Sequence, residues 1–237
     1  MLQKQVVSVE LMQLLHELQN MPVLKEHYLA GGTALALQIG HRKSADIDIF
    51  TNKKQNNGII LNDLKDKFKY YDILNIENNG IQLIIKNIKV DIFGMNLNIL
   101  ENPKNEDGIY YYGKQDIAAM KLRAIMFREK FRDYVDIVYL FNDIPFKKMI
   151  EFYKKKYNEN NITLLKMKII NSQFNNDEIK EVKDCMIRND LDLNKIPMLL
   201  KNEIKKYNNE NNINISILKK LFLKFIQKMD GMVGSEQ

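Results

Sequence analysis

The chain has 237 residues, 45% of them hydrophobic and 28% charged, the balance of a globular protein with room for one large domain or two small ones. Apolar runs are short and broken by charge, which excludes a membrane-spanning helix, and the lone Cys185 excludes an internal disulfide and a cysteine-built zinc site. The net charge of +6 is uneven: residues 1–141 hold 18 basic and 17 acidic side chains, residues 142–237 hold 18 and 13.

That basic excess suits a polyanion, and equally a solvated lysine-rich helical surface in a chain rich in Asn and Lys. The N-terminal stretch carries Glu10 and Glu17 and lacks the basic start, apolar centre and small-residue cleavage site of a signal peptide. A cytoplasmic protein without a membrane partner is expected.

In chain order, residues 7–19 predict an amphipathic helix with Val7, Leu11, Leu14, Leu15 and Leu18 on one face. "HYLAGG" reads as a short strand ending at a glycine turn, and "TALALQIG" as a helix starting just after it. Asp46–Thr51 is a strand, and a helix follows from about 59 to 69. Residues 71–95 alternate apolar side chains with turn signals at "NNG" and "KN", the pattern of a β-meander. A short strand at Tyr110–Tyr112 precedes a helix capped by Asp116, and "RDYVDIVYLFN" is the next helix. After Pro145 the pattern is helical with Asn-rich turns, so a boundary is placed at 142/143, giving units 1–142 and 143–237. The fold class is α+β, a small mixed β-sheet core flanked by helices with a helical C-terminal part.

Chemistry concentrates in "GGTALALQIGHRKSADIDIF". Residues two apart on a strand share a face, so Asp46 and Asp48 project side by side. Parallel carboxylates repel unless a cation lies between them, and an oxygen-only pair suits a hard divalent ion, Mg²⁺ above all. "KVDIF" supplies Asp91, a third aspartate within an apolar strand. Three such residues suit one or two metals and in-line phosphoryl transfer; singly, each could instead cap a turn or pair with a lysine. Gly31 and Gly32 follow a strand and precede a helix, where bare backbone and free N–H groups receive an anion, with the Thr33 hydroxyl beside them.

The layout "GGT…DID" with a later strand aspartate resembles the DNA polymerase β-like nucleotidyltransferase superfamily. "GGTALALQIGHRKSADIDIFT" together with "DIAAMKLRAIMFREKFRDYVDIVYLF" is similar to the AbiEii/AbiGii-type nucleotidyltransferases, toxins of abortive-infection toxin–antitoxin systems. The likeness spans residues 28–142, and beyond them only helical character is shared. It implies a glycine turn that holds triphosphate and acidic residues that bind two Mg²⁺. It further implies transfer of a nucleoside monophosphate to an acceptor, for example a tRNA 3′ end, and a separately encoded antitoxin that forms no stable complex with the toxin. An acceptor on a protein or small molecule, or a non-catalytic nucleotide- or RNA-binding module, are the alternatives.

The second motif places Ile117, Ala118, Lys121, Ala124, Ile125 and Arg128 on one helical face. Two cations on a core-facing stripe need an anion, or else snorkel to water. Lys121 is a candidate for nucleotide phosphate. The resemblance implies a functional aspartate after the motif lysine, either Asp133 or Asp136, with Asp136 favoured because its sequence neighbours are apolar. His41 and Arg42 lie between cradle and metal strand, where they can meet triphosphate or acceptor, or simply terminate a helix. His16 and His27 read as structural.

Overall fold

The computed structural model describes residues 1–211, so the expected helical character of 212–237 lies outside the described residues. The strands are β1 (Tyr28–Leu29), β2 (Ile47–Thr51), β3 (Asp72–Glu77), β4 (Gly80–Ile85), β5 (Ile88–Gly94), β6 (Lys104–Glu106) and β7 (Ile109–Tyr111). They form one mixed sheet in the order β3–β4–β5–β2–β1–β7–β6. β2 runs parallel to β5 and β1 parallel to β7, while the other pairs are antiparallel.

The helices are α1 (Val9–Gln19), α2 (Gly31–Ile39), α3 (Asn57–Lys67), α4 (Lys114–Arg128), α5 (Phe131–Leu140), α6 (Phe146–Tyr157), α7 (Thr163–Asn171), α8 (Asn176–Cys185) and α9 (Ile196–Glu210). The fold is the α+β arrangement expected. Local chemistry sets its punctuation. Ser8 caps α1 by accepting from Leu11 N, and Asn56 caps α3 from Gly58 N and Ile59 N. Gly40 ends α2 in the left-handed region at φ +67°. Lys86 and Asn87, both at positive φ, make the two-residue turn between β4 and β5, a twist that matches the flanking strands.

Several boundaries differ from expectation. α1 begins at Val9, because Ser8 is its cap. α3 begins at Asn57, where the Asn56 side chain takes the first amides. α2 begins at Gly31 itself, so the glycines form its first turn. β6 was not foreseen, since "KNE" has no apolar period. Asp116 does not cap α4; the helix starts at Lys114 after Gly113. Instead Asp116 is fully buried, accepts from Leu100 N at 3.1 Å and Glu101 N at 3.2 Å, and pairs with Lys156 Nζ at 2.6 Å.

Helices α6 and α7 pack on α4, and α8 and α9 on α5. The strands end before residue 142, yet one apolar core runs from Leu2 to Tyr207 and includes side chains from both sides of that point. Among the described residues no helix is long and apolar enough to cross a membrane.

Candidate active site

Alternation along β2 buries Ile47, Ile49 and Thr51 and leaves Asp48 and Phe50 half-buried on the other face. β5 does the same with Val90 and Ile92 against Asp91 and Phe93. Parallel pairing sets Asp48 opposite Asp91 and Phe50 opposite Phe93, so both carboxylates stand abreast, with the two rings packed edge-on at 6.0 Å next along the strands. Asp46 lies just before β2 and is half-buried at the rim.

Asp91 accepts from Lys89 Nζ at 2.9 Å and from Gln82 Nε2 at 3.3 Å. Asp48 has no such partner among the described residues. Burial, then the Asp91 charge, push its carboxyl up to about 6, against the pull of Lys121 and Arg128. The pair is short of a cation.

Among the described residues no three acidic, histidine or cysteine side chains gather as a ready metal cluster. Mg²⁺ commonly takes one or two protein carboxylates and completes its shell with water and substrate phosphate, so Asp48 and Asp91, with Asp46 nearby, fit it.

The two glycines are required by close approach. Gly31 has φ +65°, and a Cβ there would strike the Asp48 carboxylate; a Cβ on Gly32 would strike the Arg42 guanidinium. Thr33 is placed differently from expectation. Its buried hydroxyl donates to the main-chain oxygen of Asp46 and lies 2.8 Å from Ser44 Oγ, so it secures the entry to β2 instead of facing the open side of the turn.

Behind this face lies a buried ionic network. Asp136 accepts from Arg42 Nε at 2.7 Å and Nη2 at 2.9 Å, and from His41 Nε2 at 2.7 Å. Lys121 Nζ lies 2.6 Å from Asp136 and 2.7 Å from Asp133. Arg128 closes the far side with Nε 2.8 Å from Asp133. Burial opposes ionisation of Asp136, but Arg42 and Lys121 outweigh it and hold the carboxyl well below its ordinary range; Lys121 and Arg128 likewise hold Asp133 down. Burial lowers His41 against the opposing pull of Asp136, and its Nε2, facing that carboxylate, is the donor.

His41, Arg42, Lys121, Arg128, Asp133 and Asp136 are therefore one assembly. Arg42 and Lys121 are almost fully buried and saturated by carboxylates, while more than half of the Arg128 side chain is exposed. Three permanent cations face two aspartates here, and the surplus positive charge lies toward Asp48.

A further feature was invisible in the sequence. Residues 41–44 are strapped by main-chain bonds to the N-terminal segment and to the stretch at the end of α8. Ser44 N donates to Val6 O at 2.9 Å, Lys43 N to Cys185 O at 2.7 Å, and Ile187 N to His41 O at 3.0 Å. Beside the strap and Asp46 opens a cleft of about 610 Å³ whose walls include Val6, Val7, Lys43, Arg132 and Val182.

A family model described as "Nucleotidyl transferase AbiEii toxin, Type IV TA system" matches residues 13–230. An uncharacterised protein of Aquifex aeolicus (strain VF5) is 30% identical over 172 residues, covering 70% of this chain and 84% of its own. Among solved structures, one from H. pylori assigned as a nucleotidyltransferase superposes with a TM-score of 0.51 at 18% identity, covering 90% of this chain and 95% of that one. JHP933 from Helicobacter pylori superposes with a TM-score of 0.50 at 16% identity, covering 94% and 95%. At these identities the two structures speak for the fold alone.

Proposed function

The chain belongs to the AbiEii family of nucleotidyltransferase toxins of type IV toxin–antitoxin systems, and from that premise we propose a Mg²⁺-dependent enzyme that transfers a nucleoside monophosphate from a nucleoside triphosphate to the hydroxyl of an RNA acceptor, tRNA foremost. The observation that carries this reading is the Asp48–Asp91 pair, abreast on parallel strands and pressed against a bare glycine turn.

Asp48 and Asp91, with Asp46 at the rim, would hold the metal. Bound there, Mg²⁺ would neutralise charge on the phosphates and polarise the α-phosphorus. The glycine turn at the start of α2 offers backbone to the triphosphate, and Arg128 is the network cation with side chain to spare for it. Lys121 and Arg42 act mainly from behind, fixing Asp133, Asp136 and the strap.

The acceptor oxygen attacks the α-phosphorus, the bond from that phosphorus to the bridging oxygen breaks, and pyrophosphate leaves. In this reading Asp91 takes the hydroxyl proton, and Lys89 and Gln82, which both bond to it, orient the carboxylate. Rate then comes from positioning and charge neutralisation. The cleft beside Asp46 gives the nucleoside end apolar walls and two cations, Lys43 and Arg132, that make no ion pair among the described residues. The type IV assignment supports an antitoxin that opposes the toxin without a stable complex.

The test is transfer of label from each nucleoside triphosphate in turn to total tRNA with Mg²⁺. Label should enter RNA with the wild type, and not with Asp48→Ala, Lys121→Ala or added chelator. Label on protein in place of RNA would move the acceptor to a protein hydroxyl; no label on any acceptor would overturn the reading.

A further inference from the structure

The C-terminal end of α4 carries chemistry that the residues assigned to metal, phosphate and proton transfer leave unexplained. Phe127, in the last turn of α4, is 67% exposed. The Arg123 guanidinium, one helical turn back, lies 4.9 Å from the Phe127 ring centre and 4.5 Å from that of Tyr157 on α6. Tyr153 continues the row, its ring 5.2 Å from Tyr157. The result is a ladder of ring, guanidinium, ring and ring, open at the Phe127 end.

A single exposed aromatic is ordinary, and an i,i+4 contact between Arg123 and Phe127 steadies a helix end. Three observations point further. Arg123 has no carboxylate partner among the described residues; its charge is met by π-faces and by the Tyr153 side chain. The residue after Phe127 is Arg128, whose guanidinium reaches Asp133, so the ladder and the ionic network share the last turn of α4. The flanking surface is basic: Lys130 is exposed without an ion pair among the described residues, and the local acid Glu129 is already bonded to Lys168 at 2.7 Å.

An open aromatic face backed by a planar cation, within a basic surround, is how sequence-tolerant proteins hold unpaired bases. A protein partner would be met by a broader apolar patch, whereas here the aromatic face is small and charge surrounds it.

We infer that Phe127, Arg123 and Tyr157 form a stacking platform for the unpaired bases at the 3′ end of the acceptor strand, holding it so that its terminal hydroxyl meets Asp91. This rests on the reading that the acceptor is RNA, and it selects within that class: a strand with a single-stranded 3′ tail over a blunt duplex.

The test uses the full chain and two labelled RNA hairpins with one common stem, one carrying a single-stranded 3′ tail and one blunt. Wild type should prefer the tailed hairpin. Phe127→Ala and Arg123→Ala should weaken that binding by about tenfold, Phe127→Tyr should retain it, and binding of the blunt hairpin should not change. Circular dichroism checks the fold; Phe127 is exposed, and Phe127→Leu controls for the helix surface. Unchanged affinity of Phe127→Ala for the tailed hairpin, whatever it does to a protein partner, overturns the platform, as does equal loss on both hairpins or full retention by Phe127→Leu. The two readings fail separately. If wild type binds the tail through Phe127 but transfers no nucleotide, the proposed activity falls and the platform stands. If Phe127→Ala transfers to the tailed RNA with unchanged KM, the platform falls and the activity stands.

Discussion

Lys89 bonds to Asp91, its neighbour two residues along β5, and leaves Asp48 on β2 to carry the repulsion between the two opposed carboxylates. The folded protein thus favours the neutral acid at Asp48, whose pKa is near 6 against about 3.9 in an unfolded chain. A carboxyl raised on folding contributes stability at low pH that is lost as pH climbs through the folded value. Metal-free wild type should therefore weaken between about pH 4 and pH 6 relative to Asp48→Asn. The variant should be more stable by roughly 1–2 kcal/mol at pH 8, discounted for partial exposure, and equal to wild type near pH 4. Thermal melts across that range, with and without Mg²⁺, check this: Mg²⁺ should close the gap by stabilising wild type alone. A variant no more stable at pH 8 would mean that Asp48 bears no unmet charge.

The shared ammonium of Lys121 makes an asymmetric prediction. Asp133 keeps Arg128 and Asp136 keeps Arg42 when Lys121 is replaced by Met. Asp136→Ala instead strands Arg42 inside the fold and leaves Lys121 with Asp133 alone. It should cost about 3–5 kcal/mol in urea unfolding, and Lys121→Met clearly less. Both should lose transfer. The reverse order of stability would show that the lysine, not the aspartate, is the hub.

Gly31→Ala combines two penalties: a left-handed backbone that a side chain disfavours by about 1–2 kcal/mol, and a methyl driven into the Asp48 carboxylate. Transfer should fall by at least about 100-fold, because an ångström of misplacement at a reacting centre costs that much. Adding Asp48→Ala to Gly31→Ala should recover part of the stability and none of the activity. Additive losses in that cycle would show that the two residues are not in contact.

Thr33 separates support from contact. Its hydroxyl is engaged by the entry to β2, so Thr33→Val should cost about 1 kcal/mol of stability and lower kcat, with KM for the nucleoside triphosphate unchanged. Thr33→Ser should behave as wild type. A raised KM with unchanged kcat would return the hydroxyl to the phosphate cradle.

Strand alternation made the acidic face legible in advance, because a period of two is a local property and Asp48 and Asp91 are each framed by buried isoleucine or valine. The helical stripe through Lys121 and Arg128 was legible for the same reason. What local patterns could not reveal was partnership. Asp133 and Asp136 stood as rival candidates, and the fold uses both on one ammonium. Asp116 reads as a cap from its position before an apolar run; only the distant Lys156 explains why it turns inward. The glycines read as room for a ligand to approach the backbone, and in the fold Asp48 and Arg42 occupy part of that room.

The strap across residues 41–44 has a consequence in time. His41 and Lys43 find their main-chain partners at Ile187 and Cys185, so the wall of the cleft beside Asp46 closes only after residues 185–187 have been made. Until then the nascent polypeptide carries the aspartate strand without the segment that fixes its entry. A chain ending before Cys185 would therefore lack the partners that hold residues 41–43 in place.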